Sequence, residues 1–153
     1  MQDPSIAQLL ERLYAVISFE EGDEPDWGGL REIFSAHARI TRITPEGTDY
    51  LDPSSFLAMT RNMVEVGAYT SFYEVEVARR VERFGNVAQV WSAYETKRHR
   101  QADQALDRGV NSIQLIREGA NWRVLGLLWD ETSSNPELDL PNLFSNGERR
   151  GKD

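Results

Sequence analysis

The sequence predicts an α+β fold, in which a few helices pack on a curved, mostly antiparallel sheet and leave a pocket between the two layers. Two observations point to the layers. The N-terminal part carries apolar residues at three- and four-residue spacing behind two Asp-Pro pairs, and the second half is a series of β-branched and aromatic runs divided by short glycine turns. A third bounds the size: 153 residues that are 40% hydrophobic suffice for one core.

Asp3 and Pro4 fit an N-cap and the first helical position, where proline's missing N–H leaves nothing unpaired. Ile6, Leu9, Leu10, Leu13 and Ile17 then form one apolar stripe, with Gln8, Glu11 and Arg12 off it. The acidic stretch from Glu20 to Pro25 breaks the period and reads as a solvated loop. Asp26 caps a short second helix that buries Trp27, Leu30, Ile33 and Phe34. Ile40, Thr41, Ile43 and Thr44 predict a strand over Ala38 to Thr44, closed by Pro45-Glu46-Gly47. Asp52-Pro53 repeats the helix start, Phe56, Leu57, Met59, Thr60, Met63 and Val64 supply the stripe, and Gly67 suits the left-handed position beyond its end.

Strands follow. The first runs from about Thr70 to Phe84, with Val75, Val77 and Val81 on one side and Glu74, Glu76 and Glu82 on the other, a half-exposed pattern. Gly85-Asn86 joins it to Val87–Arg98 as a tight hairpin, both residues tolerating positive φ. A second hairpin joins Gly109–Arg117 to Trp122–Glu131 through Glu118-Gly119-Ala120-Asn121. Leu125-Gly126-Leu127-Leu128-Trp129 does not alternate, and a strand apolar on both sides needs cover on both faces. Helices cover one face. A second copy of the chain covers the other, so a homodimer through the sheet face is expected. The domain is expected to span residues 1–132, and residues 133–153 to form a partly ordered or flexible tail that drapes over the surface through Leu138, Leu140, Leu143 and Phe144.

Composition narrows the partners. With 17 Lys and Arg against 25 Asp and Glu, the net charge of −8 repels polyphosphate, and no nucleic-acid partner is expected. The absence of cysteine excludes disulfides, thiolate nucleophiles and zinc–thiolate sites. No long apolar run and no basic-then-apolar leader occurs, so no membrane partner and a cytoplasmic location are expected. The two histidines, His37 and His99, form neither a His-x-His nor a His-x-x-x-His pair; no metal and no cofactor are expected.

The order helix, helix, strand, helix and then long antiparallel strands, ending in Gly109-Val110-Asn111-Ser112-Ile113-Gln114-Leu115, Asn121-Trp122-Arg123-Val124 and Trp129, resembles the nuclear transport factor 2-like superfamily and, within it, SnoaL-like domains. The resemblance spans about residues 5 to 132. It implies a cone-shaped, cystatin-like arrangement: a bent sheet around the first helix, with a mostly apolar cavity open at one end. It also implies frequent dimers and members that range from isomerases, dehydratases and cyclases to binders without catalysis, so fold does not settle function. Steroid isomerase-like members use an acidic base at the end of the first strand; here that position falls on Arg42, which cannot take a proton. Their later acid falls on Asn111, while Tyr14 stands near their helix tyrosine. Scytalone dehydratase-like members need two pocket histidines, and His37 and His99 lie far apart in the chain. On the family's pattern Trp91 points inward, as do Gly126, Leu128 and Asp130, which share one side by the two-residue period.

Three functions follow as expectations. The first is binding of a moderately apolar small molecule, oriented by Tyr14, Arg42, Trp91, Asn111 and Asp130. The second is a lyase, isomerase or hydrolase of a cyclic molecule, with Asp26, Asp130 or His37 as the candidate catalytic base and Tyr14 as acid. The third is a non-catalytic dimeric interaction module whose cavity is filled by Trp91 and Trp129.

Overall fold

Every helix among the described residues begins on an aspartate. The computed structural model describes residues 3–20, 22–67 and 71–133. In it Asp3 caps α1 (Pro4–Ile17), Asp26 caps α2 (Trp27–Ile33) and Asp52 caps α3 (Pro53–Glu65). The three carboxylates accept from the backbone N–H groups of Ser5, Gly29 and Ser55 at 2.9, 2.9 and 2.7 Å, satisfying donors that a helix start leaves orphaned. Gly67 follows α3 at φ 75°, the left-handed conformation its end requires.

Six strands make one sheet: β1 (Phe34–Thr44), β2 (Gly47–Leu51), β3 (Tyr73–Phe84), β4 (Val87–Lys97), β5 (Asp107–Glu118) and β6 (Asn121–Glu131). Their order is β2-β1-β6-β5-β4-β3, antiparallel throughout except that β1 and β6 run parallel. The sheet is not closed. It bends around α1, giving the expected α+β cone. β1 begins at Phe34, earlier than expected, and Gly47–Leu51, of which Gly47 was expected in the turn, adds a short edge strand to it. At the β3–β4 turn only Gly85 uses positive φ (59°); Asn86 does not.

The core forms where the α1 stripe meets the sheet. Ile6, Leu10, Leu13 and Val16 pack with Leu30 and Ile33 of α2 and with Ile40, Val90, Ile113 and Val124 of the strands. A 14-residue helix is marginal alone, and burial at about 1.5–3 kcal/mol per large apolar side chain is what holds α1 in place.

Three register shifts, one on β1 between Phe34 and Arg39 and one each on β6 and β3, decide which side chains face that core. On β6, Gln114 pairs with Gly126 and Leu115 with Val124, so Leu125 is an extra residue without a partner on β5. Trp122 and Val124 point inward before it; Leu127, Trp129 and Glu131 point inward after it. The inward direction expected for Gly126, Leu128 and Asp130 is therefore reversed, because one inserted residue swaps the faces of everything beyond it. On β3, Glu76 pairs with Tyr94 and Ala78 with Ala93, which makes Val77 the extra residue. Glu74 and Glu76 thus face the interior, whereas Glu82 is exposed. The strand is half-exposed, but with its upper glutamates on the buried side.

Trp91 also differs from its expected direction. Its neighbours Val90 and Ser92 are buried, and Trp91 stands 40% exposed on the outer face. Leu128, 41% exposed, lies two strands away in the same row, since Trp91 and Leu128 both pair with Ser112. On this face the sequence reading seats the second copy of the chain. The tail residues Leu138, Leu140, Leu143 and Phe144 lie outside the described residues.

Candidate functional site

Between α1, α3 and the concave side of the sheet lies a cavity of about 680 Å³. Its body is apolar: Leu13 and Ile17 from α1, Phe56, Met59 and Met63 from α3, and Phe34, Leu127 and Trp129 from the sheet. Phe56 meets Phe34 and Trp129 edge-on, at centroid separations of 5.8 and 6.3 Å. The interior is therefore not filled by Trp91 and Trp129; the first points away and the second forms wall.

Polar groups converge on one side. Glu74 of β3, Tyr94 and Thr96 of β4, Asp107 and Asn111 of β5 and Glu131 of β6 line the cavity, and Arg42 of β1 faces it from the α3 side. Burial, followed by repulsion from Glu131, pushes the Glu74 carboxyl up to about 8, against a hydrogen bond from Asn111. At neutral pH Glu74 therefore carries its proton. Glu131 is pushed up to about 7, first by burial and then by sharing its proton with, and being repelled by, Asp107; the Tyr94 hydroxyl and the Arg42 charge oppose this. Burial works against the charged form of Asp107, but hydrogen bonds from Glu131, Ser133, Thr132 and the Arg108 backbone outweigh it and hold Asp107 down at about 2. The result is a neutral carboxyl set against a carboxylate, a pair that can give or accept one proton near pH 7. Tyr94 donates to Glu131 Oε1 at 3.0 Å. Gly109 makes room for it, since a Cβ there would lie 2.5 Å from the Tyr94 hydroxyl oxygen.

Behind the wall runs a buried chain of hydrogen bonds whose direction is fixed. The Ser92 hydroxyl donates to Glu76, so its oxygen accepts from the Tyr14 hydroxyl at 2.6 Å, and Tyr14 in turn accepts from Asn111 Nδ2 at 3.0 Å. Arg79 closes the chain with two bonds to Glu76 Oε1, at 2.8 and 2.6 Å. Burial raises the Tyr14 hydroxyl far above its ordinary range and does the same to Tyr94, so both remain donors. Tyr14 does not line the cavity; it holds Asn111, which does.

Of the residues expected to form the site, Arg42 and Asn111 line the cavity, with Tyr14 directly behind Asn111. Asp130 does not, because the Leu125 bulge turns it outward; its Oδ1 accepts from the Glu131 backbone. Asp26 is committed to capping α2 and is exposed, and His37 is exposed on β1. His99 stands at the cavity rim, exposed. The carboxyls that do reach the cavity, Glu74, Asp107 and Glu131, were not singled out by sequence. One signal was present for Glu131: a glycine inside a strand marks bulges, and Gly126 adjoins the one at Leu125. Among the described residues, no group of three or more His, Asp or Glu side chains is arranged to hold a metal ion, and no helix is long and apolar enough to cross a membrane.

No protein-family model matches the chain, and no curated protein does. Solved structures do. A protein of unknown function with a cystatin-like fold from Nostoc punctiforme superposes with a TM-score of 0.68 at 12% identity, covering 90% of this chain and 93% of its own. A nuclear transport factor 2-like protein of unknown function from Silicibacter pomeroyi gives 0.58 at 17% identity, covering 84% and 93%. A hexachlorocyclohexane dehydrochlorinase, LinA-type3 from Novosphingobium barchaimii, gives 0.64 at 19% identity, covering 84% of each chain. Likeness at such identities speaks to architecture alone, and by it this chain carries the nuclear transport factor 2-like fold.

Proposed function

We propose that the protein binds a moderately apolar small molecule in the cone cavity, with the ligand's body against Phe34, Phe56 and Trp129 and its polar group against Glu74 and Asn111. One observation carries this reading. A largely apolar space of about 680 Å³, well within the range of small-molecule sites, has most of its polar groups on the strands β3 to β6. Nile red, a neutral dye that fluoresces in apolar surroundings, is the probe. A saturable fluorescence rise at one dye per chain is expected, and Thr60→Trp/Met63→Trp should weaken it by about tenfold or more. Both residues line the cavity from α3, which has no fully buried residue, so the fold should tolerate the change. A folded wild type without saturable fluorescence would overturn the reading.

The Glu131–Asp107 pair favours a second reading, in which the cavity also moves a proton on its ligand. Glu131 would give or take the proton, with Asp107 and Tyr94 orienting it. Incubation with a metabolite extract, followed by mass spectrometry, should show a compound consumed by wild type and spared by Glu131→Gln. Equal consumption by both proteins, or by neither, would remove Glu131 from that role.

A further inference from the structure

The charges facing the cavity are unbalanced in a way that specifies its ligand. Glu74, Asp107 and Glu131 lie on its wall, and among the described residues no Lys, Arg or His side chain is within ion-pair distance of any of them. Arg42 is the only cation placed inside rather than at the rim among those residues. It is turned toward Asp49, 4.0 Å away, and toward the Met59 sulfur at 3.8 Å. Arg98 and His99 stand exposed at the mouth. The other groups facing the two glutamates are Tyr94 from β4, Asn111 from β5 and Tyr14 from α1, all neutral hydrogen-bonding groups. Once Glu74 and Glu131 are ionised, three carboxylates thus oppose one guanidinium.

The rest of the lining suits the same charge. Phe19, Phe34, Phe56, Phe72 and Trp129 present aromatic rings to the cavity, and ring faces attract cations where water is excluded. An anionic ligand would meet the Asp107 carboxylate on that wall, with Arg42, already set against Asp49, as the cation nearest to it. Resting on the binding function proposed above, we propose that the ligand is an organic amine: an apolar or aromatic body carrying a protonated nitrogen, which sits between Glu74 and Glu131. In the empty cavity those two carboxyls avoid burying charge by keeping protons. An incoming ammonium group replaces a proton, and uptake of the ligand is an exchange of one cation for another.

The exchange fixes a sign. Below pH 7 the amine must displace protons that Glu74 and Glu131 hold firmly, and above pH 8 both carboxyls are already ionised. Affinity for an amine that stays protonated should therefore rise between pH 6 and 8, by up to about tenfold per pH unit for each proton released, and then level off. A neutral ligand that accepts a hydrogen bond from the Glu74 carboxyl shows the opposite trend.

The test is displacement of Nile red by three compounds of matched body: 2-phenylethylamine, 2-phenylethanol and 3-phenylpropanoate. At pH 8 the amine should displace the dye at a concentration about tenfold or more below that of the alcohol, with the carboxylate weakest, and its advantage should shrink at pH 6. In Glu74→Gln/Glu131→Gln the amine-to-alcohol ratio should fall to about one, a ratio that holds its meaning even if dye affinity changes. An alcohol or carboxylate that equals the amine, in a protein that binds the dye, would overturn the amine assignment and leave the cavity reading standing. Absence of dye binding would overturn both.

Discussion

Glu74→Gln is expected to raise the unfolding temperature at pH 9 and to change it far less at pH 5. Glutamine has the shape of a protonated glutamate and can still accept the Asn111 amide bond, so below the pKa the two side chains are equivalent. The folded protein holds Glu74 at about 8 against an ordinary value of 4.5. A group raised in this way contributes stability that is complete below its unfolded pKa and is lost as the pH climbs through its folded one. Wild type therefore loses this contribution between about pH 4.5 and 8, whereas the variant has none of it to lose. Every tenfold change in proton affinity is worth about 1.4 kcal/mol, and solvent reaching Glu74 through the cavity mouth reduces the total to about 3 kcal/mol. For a chain of this length that is roughly 6–12 °C. Melting curves at the two pH values check it; equal differences at pH 5 and pH 9 would show that Glu74 is not held neutral.

Arg79→Met should lower stability by about 3–5 kcal/mol, a large part of what holds a domain of this size together. The two side chains of the pair are 9% and 2% exposed, and the methionine leaves the Glu76 carboxylate buried without its two-fold guanidinium partner. Repair should come from the other side of the pair. Glu76→Gln/Arg79→Met buries no carboxylate charge, keeps an acceptor for Ser92, and should recover more than half of the loss. Chemical denaturation of both variants decides it. A single variant as stable as wild type, or a double variant no better than the single, would show that the ion pair does not govern this site. Because Ser92, Tyr14 and Asn111 hang from the same chain, the single variant should also loosen Asn111 at the cavity wall.

What could be read from sequence was local. Asp3-Pro4 and Asp52-Pro53 start helices because a carboxylate, an extended residue and a fixed φ act within four residues, and no tertiary contact is needed to interpret them. The α1 stripe and the hairpin turns were legible for the same reason. Arg42 and Asn111 were placed on the cavity through the family's pattern; β5 is regular from Gly109 through Asn111, and β1 is regular from Arg39 through Arg42, beyond its own register shift between Phe34 and Arg39. Trp91 was misread through the same pattern, since Val90 and Ser92 occupy the inward positions beside it. The failures on β3 and β6 share one cause. A two-residue period carried through Val77 or Leu125 joins two stretches of opposite phase as if they were one, so one side of each bulge is assigned wrongly, and those bulges are set by how each strand pairs with its neighbour, which alternation within one strand does not encode. The glutamates of β3 were misread for a further reason. A carboxylate beside valines looks like a solvent face, and only the cavity and the protons it enforces make an interior Glu74 tolerable.

The unpaired Leu125 has one more consequence. If it were drawn into the ladder opposite Gln114, β6 would slide by one residue, bringing Gly126, Leu128 and Asp130 to the ligand and turning Leu127, Trp129 and Glu131 outward. The chain thus holds two different linings in one stretch of sequence, and deletion of Leu125, which leaves Val124 and Gly126 on their present partners, would keep the first and abolish the second.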